Sequence, residues 1–436
     1  MFSTTFPPGA LPPPHSQSSD RTNDATIDCK EMNNQPSLMG TELQNGQTEV
    51  GAQTTGSIFT LSQRNEAELR DIVAKMLQSG KGILAADDPA EAIGARLALF
   101  GMDSSAENRR RFRQLLFTTP NMHKHISAVI VQDETYRQLT DQGDRLVDIL
   151  RRTGIAVGVK IDEGTIPLFP LAAADFVGEN ECWKGETLTR GLDGLSERCA
   201  EYKKGGCSFA KFRCAYRISQ RTPSKWALEQ NAMIMARFAM TCQRFGLVPI
   251  VEPDVSYEGT HGIEQCQRAT QQVLAHIFNA LAEHNVYLEG IVLKTNMVIS
   301  GLSAPDQSSA EQVAEYTLRT LRRTLPVAVT GVGFLSGGQT AIGATKNLNA
   351  INKIGGKTGT NLKPWQLTFC FGPALQANVM EIWKGFGENV GAAQKQFFHR
   401  ARANAEAEQG TYTDEKSISE TLSAINFAGE SITRYY

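Results

Sequence analysis

Short apolar runs that end on a polar or charged residue recur along the chain from about Ser57, and a stretch with helical spacing follows most of them. Eight of these runs have the length and the residue types of buried strands. They are Gly82 to Ala86, Ser127 to Val131, Ala156 to Val159, Phe209 to Arg213, Leu247 to Val251, Ile291 to Leu293, Val327 to Val332 and Gln366 to Phe369. The intervening amphipathic helices include Trp226 to Phe245, Ile263 to His284 and Ala310 to Thr324.

Eight strands that alternate with helices are typical of a (β/α)8 barrel, an α/β fold in which every strand is parallel to its neighbours. We therefore predict a single TIM barrel over residues 57–410. A doubly wound open sheet is the alternative, but no G-x-G-x-x-G turn follows the first strand, as its dinucleotide-binding form requires.

The two ends of the chain lack this pattern. Residues 1–56 are rich in Pro, Ser, Thr, Asn, Gln and Gly and poor in aliphatic residues, which predicts a disordered N-terminal extension. A helix is expected to begin at a cap on Thr60 or Ser62 and to reach about Leu77. The polar residues 411–436 predict a mobile C-terminal tail.

Composition and charge argue against several classes of function. The chain is 41% hydrophobic and 21% charged, as soluble globular proteins are, and its net charge of -2 gives no electrostatic basis for binding nucleic acid or an anionic membrane. No apolar run reaches the roughly 18 residues that span a bilayer. The eight cysteines are scattered and read as reduced cytoplasmic thiols. Because no Cys, His, Asp and Glu cluster has zinc spacing, we expect no metal and no cofactor.

Charged residues stand at the ends of the predicted strands, which converge on one cavity in a barrel. They are Asp87, Lys160, Lys211, Arg213, Glu252, Asp254 and Lys294. Each could belong to a buried ion pair without a catalytic role. So many ionisable groups around one cavity nevertheless favour catalysis.

Lys294 ends the apolar run Ile291 to Leu293 and is the candidate nucleophile. Burial and the cationic neighbour Lys211 both favour the neutral amine, which can attack a carbonyl and form a Schiff base. Glu252 can protonate the hydroxyl that leaves the carbinolamine, and Asp87 can accept an alcohol proton during carbon–carbon cleavage. The alternative is a lysine that only closes a strand and extends toward water.

A pair of glycines follows the seventh predicted strand, within Leu335-Ser336-Gly337-Gly338-Gln339. Paired glycines let backbone N–H groups approach an oxyanion closely, as in the phosphate sites that follow strands seven and eight of barrels. A plain Gly-Gly turn is the alternative. We predict a phosphate site at Ser336, Gly337 and Gly338.

From about Ser57 to Tyr436, ordered motifs make the chain resemble the class I, Schiff-base fructose-1,6-bisphosphate aldolases. They include Gly80-Lys81-Gly82-Ile83-Leu84-Ala85-Ala86-Asp87, Phe209-Ala210-Lys211-Phe212-Arg213-Cys214, Val248-Pro249-Ile250-Val251-Glu252-Pro253 and Phe334-Leu335-Ser336-Gly337-Gly338-Gln339. The resemblance implies a lyase of glycolysis and gluconeogenesis that reversibly cleaves this sugar phosphate to dihydroxyacetone phosphate and glyceraldehyde 3-phosphate. It also implies a cytoplasmic homotetramer without a metal, from a family whose members bind cytoskeletal partners.

The resemblance implies catalytic roles for five residues. Lys294 matches the Schiff-base lysine, and Lys211 matches the lysine beside it. Glu252 matches the general acid and base of imine formation, and Asp87 matches the residue that handles the C4 hydroxyl proton. Tyr436 matches a mobile terminal tyrosine that exchanges a proton at C3 of the enamine, which implies that the tail lies over the active site.

The resemblance also implies where the substrate binds. Lys160 and Arg213 match basic residues that hold the sugar and its C6 phosphate. The loop of Ser336, Gly337 and Gly338 matches the loop that holds the C1 phosphate. Arg96 and Asp254 complete the candidate substrate-binding residues.

The chain departs from this family at the phosphate sites. Pro373 stands where the family has an arginine that clamps the C1 phosphate, and loss of one such contact costs about 1.5–3 kcal/mol of binding. Pro89 and Ala92 replace serines, and Ala95 replaces a lysine. An aldolase of shifted specificity and a weakly active aldolase-like binding or scaffold protein are therefore alternatives.

Overall fold

The computed structural model describes residues 60–169, 185–356 and 363–413. Within these ranges, eight parallel strands close into the predicted (β/α)8 barrel. The barrel strands are β1 (Gly82–Ala86), β2 (Ile126–Val131), β3 (Ala156–Lys160), β6 (Phe209–Tyr216), β7 (Val248–Val255), β8 (Val292–Thr295), β9 (Gly331–Phe334) and β10 (Gln366–Phe371). Each strand pairs with the next, and β10 closes the ring on β1 through Ile83 opposite Cys370.

Helices surround the barrel and follow most of its strands. They are α1 (Gln63–Met76), α2 (Ala90–Ala98), α3 (Ala106–Phe117), α4 (Asp133–Arg137), α5 (Leu146–Arg152), α6 (Leu195–Lys204), α7 (Lys225–Arg244), α8 (Ile263–Glu283), α9 (Ala310–Thr324), α10 (Ala341–Gly355), α11 (Pro373–Trp383) and α12 (Val390–Glu408). The Ser62 hydroxyl caps α1 by accepting a hydrogen bond from the Asn65 N–H at 3.2 Å, so the second of the two predicted caps is confirmed.

Two local features differ from the sequence prediction. The seventh strand was predicted from Val327, but Val327 is 77% exposed and lies in a turn, and β9 begins only at Gly331. The turn follows Pro326, whose carbonyl accepts from the Val329 N–H at 3.2 Å. A short antiparallel hairpin of β4 (Thr165–Pro167) and β5 (Thr187–Thr189) was not predicted, because three-residue polar strands leave no apolar run.

Helix α1 closes the amino-terminal end of the barrel. Its residues Leu69, Val73 and Met76 join the same buried cluster as inward-facing strand residues such as Ile130 and Phe209. The Met76 carbonyl accepts a hydrogen bond from the Ser127 hydroxyl at 2.5 Å, near the start of β2. The packed interior therefore leaves the carboxyl ends of the strands as the place for a site.

Gly158 in β3 faces the ring of Phe209 in the neighbouring strand, and a Cβ there would overlap that ring and the Phe209 carbonyl oxygen. We expect Gly158→Ala to lower the free energy of unfolding by about 1–3 kcal/mol, as overpacked cores do. Denaturant titration measures this change. Gly391→Ala in α12 is the matched control, because its Cβ would meet nothing within 4 Å and it should lose no stability. Equal unfolding midpoints for the two variants would contradict the prediction.

Residues 1–56, predicted as a disordered extension, lie outside the described residues, as does most of the predicted tail at 411–436. In the part of the chain that the structure describes, no helix is both long enough and apolar enough to cross a membrane.

Candidate active site

A cavity of about 650 Å³ opens at the carboxyl ends of the barrel strands. Most residues that were singled out from the sequence line it, because parallel strands bring their ends to one rim. These lining residues are Asp87, Lys160, Lys211, Arg213, Glu252, Asp254, Lys294, Ser336 and Gly337. Gly338 and Arg96 line an adjoining smaller cavity instead. Tyr436 lies outside the described residues.

Four buried charges form a continuous network at the floor of the larger cavity. Lys211 Nζ lies 2.7 Å from Asp87 Oδ2 and 2.7 Å from Glu252 Oε2, although the second contact lacks the alignment of a hydrogen bond. Lys294 Nζ lies 2.8 Å from the other oxygen of Glu252. Two ammonium groups therefore balance two carboxylates in a site that water barely reaches.

The network fixes the charge of Asp87 and Lys211. Burial alone would raise the pKa of Asp87, but the ammonium groups of Lys211 and Lys294 outweigh burial and lower that pKa to about 2. Burial alone would lower the pKa of Lys211, but the carboxylates of Asp87 and Glu252 raise it well above its ordinary value. Asp87 is thus ionised and Lys211 protonated across the physiological range.

The pKa of Lys294 is shifted upward, not downward as the prediction for a neighbour of Lys211 requires. Burial lowers the pKa of Lys294, and Lys211 does so as well, but Cys370 and Glu252 raise it more, so the net pKa is above the ordinary value. Burial also raises the pKa of the Cys370 thiol, to about 12, so at neutral pH this thiol is uncharged. Glu252 is therefore the anion that holds the Lys294 proton.

Two further ion pairs lie nearer the mouth of the cavity. Arg213 Nη2 lies 2.6 Å from Asp254 Oδ2, and the Arg213 side chain is 44% exposed. Lys160 pairs with Asp162, whose other oxygen accepts a hydrogen bond from the Arg213 N–H at 3.2 Å. These cations are held in place by carboxylates and face solvent, where an anionic group of a ligand can reach them.

The loop after β9 is fixed by neighbours on both sides. The Leu335 N–H donates to the Thr295 carbonyl at 3.0 Å, and the Ser336 hydroxyl accepts from the Ala374 N–H at 3.4 Å, at the start of α11. Gly338 has a φ of +73°, which favours glycine. The ring of Tyr257 packs against Gly338, where a Cβ would lie 2.5 Å from the Tyr257 Cβ.

A second cavity, of about 360 Å³, adjoins this loop. Arg96 lies here, and its Nη2 is 2.7 Å from Asp88 Oδ2, which is also 3.4 Å from Arg113 Nη2. Tyr257 lines both cavities, and sequence reasoning missed it because a single tyrosine in the loop after β7 carries no pattern. Cys370, beside Lys294, was missed because it lies inside an apolar strand.

The fold and this geometry agree with what comparison with known proteins finds. A sequence model of a family, described as fructose-bisphosphate aldolase class-I, matches residues 68–430. The chain belongs to the class-I fructose-bisphosphate aldolase family. The resemblance inferred from the motifs is therefore confirmed, and the chain is a lyase.

Aldolases from two distantly related animals align with this chain over nearly their whole length. Fructose-bisphosphate aldolase 2 of Caenorhabditis elegans is 46% identical over 380 residues, which cover 87% of this chain and 99% of that protein. Human fructose-bisphosphate aldolase C is 46% identical over 353 residues, covering 81% of this chain and 92% of that protein.

A solved structure confirms the fold of this aldolase family member. The Plasmodium falciparum fructose-bisphosphate aldolase, solved in complex with TRAP and a small-molecule inhibitor, superimposes with a TM-score of 0.76 at 40% identity. The match covers 82% of this chain and 98% of that one. Among the described residues of this chain, no group of three or more His, Cys, Asp or Glu side chains is arranged to hold a metal ion.

Proposed function

We propose that Lys294 forms a Schiff base with the ketone of a sugar phosphate, and that the chain reversibly cleaves fructose 1,6-bisphosphate to dihydroxyacetone phosphate and glyceraldehyde 3-phosphate. The observation that carries this proposal is the buried Lys294 amine, 2.8 Å from Glu252, in one network with Lys211 and Asp87. A buried amine beside a carboxylate that can take and return a proton is the arrangement that imine chemistry needs.

Imine formation begins with a proton transfer from Lys294 to Glu252. Burial makes the resulting neutral pair less costly than it would be in water, since neither partner then has to be solvated as an ion. The free amine attacks the C2 carbonyl, and a proton passes from nitrogen to oxygen to give the carbinolamine. Glu252 then donates its proton to the carbinolamine hydroxyl, which leaves as water, and an iminium remains on Lys294.

Cleavage uses the iminium as an electron sink. Asp87, which is ionised, accepts the proton of the C4 hydroxyl while the C3–C4 bond breaks. The bonding electrons move into the iminium to give an enamine on Lys294, and the C4 carbon leaves as an aldehyde. Lys211 contacts both Asp87 and Glu252, so its positive charge offsets the repulsion between the two carboxylates and holds each in place.

We assign substrate binding to the remaining candidates. Arg213 and Lys160 at the mouth hold the C6 phosphate, with Asp254 positioning Arg213. The loop of Ser336, Gly337 and Gly338 and the side chain of Arg96 meet the C1 arm. Tyr436 exchanges the C3 proton of the enamine. The homotetramer and the cytoplasmic location that the resemblance implies stay predictions.

Reductive trapping tests the proposal directly. The full chain is incubated with dihydroxyacetone phosphate and sodium borohydride, digested, and mapped by mass spectrometry. We expect one hydride-dependent adduct, on Lys294, because reduction converts the iminium into a stable secondary amine. Lys211, equally buried but protonated between two carboxylates, is the internal control and should stay unlabelled. An adduct on Lys211, or none on Lys294, would refute the Schiff-base assignment.

A further inference from the structure

The ring of Tyr257 packs against the loop that follows β9. A Cβ on Gly337 would lie 2.8 Å from the Cε1 atom of this ring, and a Cβ on Gly338 would lie 2.5 Å from the Tyr257 Cβ. The ring can come this close only because both loop residues are glycines. Tyr257 lines the larger and the second cavity alike, so it lies where the two spaces meet.

Backbone hydrogen bonds fix the position of Tyr257. Its carbonyl accepts from the Leu302 N–H at 2.8 Å, and the carbonyl of Gly259, two residues later, accepts from the Ser303 N–H at 3.0 Å. The loop after β7 is therefore tied to the segment that follows β8. A substitution that keeps the aromatic ring should leave this arrangement in place.

Among the described residues that line the second cavity, three have side chains that can donate a hydrogen bond: Arg96, Ser336 and Tyr257. Arg96 lies 2.7 Å from Asp88, which Arg96 and Arg113 keep ionised by lowering its pKa, so part of the Arg96 charge is already offset. Pro373, at the start of α11, lines both cavities but has neither an N–H nor a side-chain donor. Neutral donors are therefore needed to complete a phosphate site here.

The loop after β9 supplies some of these donors from its backbone. In the part of the chain that the structure describes, the N–H groups of Ser336, Gly337 and Gly338 donate to no backbone carbonyl. Successive free N–H groups in a turn form a concavity that suits an anion. The Tyr257 ring borders this same loop, so an anion bound to the loop lies beside the tyrosine.

The Tyr257 hydroxyl is a free donor that keeps its proton. Within the described ranges it has no hydrogen-bond partner, and burial, followed by the charges of Glu258 and Asp254, raises its pKa above the ordinary value although Arg213 opposes this shift. At neutral pH the side chain is thus an uncharged phenol, which can donate one hydrogen bond to an anion.

We propose that the Tyr257 hydroxyl donates to the C1 phosphate of the substrate, together with the backbone N–H groups of residues 336–338. This inference rests on the proposed cleavage of fructose 1,6-bisphosphate and adds a binding residue to it. Tyr257 thereby supplies a contact from the loop after β7 where Pro373 supplies none from α11. The phosphate then lies between Tyr257 and the start of α11, at the junction of the two cavities.

Tyr257→Phe removes the hydroxyl alone and is the direct test. We expect kcat/KM of the full chain to fall by about tenfold or more for fructose 1,6-bisphosphate and by a similar factor for fructose 1-phosphate, since a hydrogen bond to a charged group has this value. The change should lie mainly in KM, because the phosphate is bound before and during the reaction. Fructose 6-phosphate, which has no phosphate at C1, should lose no more than about twofold.

Tyr316→Phe in α9 is the matched control, because its hydroxyl donates to Glu264 outside both cavities at 2.9 Å. It should leave all three substrates unchanged. A loss with Tyr257→Phe that appears for fructose 1,6-bisphosphate but not for fructose 1-phosphate would place the hydroxyl at the C6 phosphate and overturn the proposal. Equal losses for all three substrates, or no loss, would also overturn it.

Borohydride trapping separates failure of this proposal from failure of the Schiff base. Dihydroxyacetone phosphate carries its one phosphate at the position that becomes C1, so Tyr257→Phe should raise its half-saturating concentration for labelling of Lys294 by about tenfold. Equal half-saturation in parent and variant overturns the role of Tyr257 and leaves the Schiff base standing. If the parent is not labelled at all, the Schiff base is refuted, and the inference about Tyr257 with it.

A second substitution tests where the phosphate lies. In the Tyr257→Phe background, Pro373→Arg should raise kcat/KM for fructose 1,6-bisphosphate by at least about tenfold, since the guanidinium reaches the same phosphate from α11. Val327→Arg is the control in that background, because it adds the same charge at an exposed position before β9. If Pro373→Arg restores no more activity than Val327→Arg does, the phosphate does not lie between Tyr257 and α11, and the proposal is overturned.

Discussion

Lys294→Met is expected to lower kcat by about 10⁴-fold or more, because in the proposed mechanism the Lys294 amine forms the covalent electron sink. Methionine has nearly the length of lysine and no charge, so it fills the same buried space. Glu252 keeps Lys211 as its ion-pair partner at 2.7 Å, so no carboxylate is left without a cation. Coupled assay of aldehyde release measures the loss.

The comparison that decides the interpretation is between turnover and binding. A Lys294→Met protein that is folded, with an unchanged circular dichroism spectrum, should still bind the substrate through Arg213 and Lys160 but should form no adduct with borohydride. Residual turnover within about tenfold of the parent would mean that the covalent route is not the main one.

Lys211→Met is expected to lower the free energy of unfolding by about 3–5 kcal/mol, as removal of one partner from a buried ionic network does. Lys211 contacts both Asp87 and Glu252, and without it two buried carboxylates share the single ammonium of Lys294. Turnover should fall too, because Asp87 would hold a proton and could not accept one. Chemical denaturation at several pH values measures the stability change.

The pH dependence of this loss has a definite sign. The pKa of Asp87 is about 2 in the folded chain, against an ordinary value of 3.8, so ionised Asp87 contributes stability above the ordinary pKa and loses it as the pH falls toward 2. Lys211→Met removes the largest influence that lowers this pKa. The stability deficit of the variant should therefore be greatest near neutral pH and shrink below about pH 4. Lys211→Arg, which keeps the charge, should show a smaller deficit, and a pH-independent deficit would contradict the ionic explanation.

The sequence was enough to predict the barrel and the residues around its mouth. Runs such as Gly82 to Ala86 are too apolar to face water, and few folds are compatible with their regular alternation with helices. Once the strands are parallel, chain order alone brings Asp87, Lys211, Glu252 and Lys294 to one rim. This part of the prediction needs no knowledge of side-chain packing, which is why it succeeded.

The charge of Lys294 could not be obtained in the same way. The direction in which the pKa of Lys294 shifts depends on how close Glu252 and Lys211 lie to the amine. Those distances depend on side-chain rotamers, which the sequence does not give. The second cavity could not be predicted from the sequence either, since Asp88, Arg96 and Tyr257 come from three separate loops or helices. Val327 was misassigned because a valine in a turn and a valine in a strand look alike in a short window.

Leu69, Val73 and Met76 of α1 close one end of the barrel, and this closure constrains the order in which substrates enter and products leave. In the part of the chain that the structure describes, the cavity opens at the mouth, where Arg213 is 44% exposed, while Lys294 at the floor is 6% exposed. In the proposed mechanism the fragment bound to Lys294 is the deeper one, so the aldehyde has to leave before the ketone is released. In the synthetic direction the ketone must enter first, which predicts a compulsory-order kinetic scheme dictated by architecture alone.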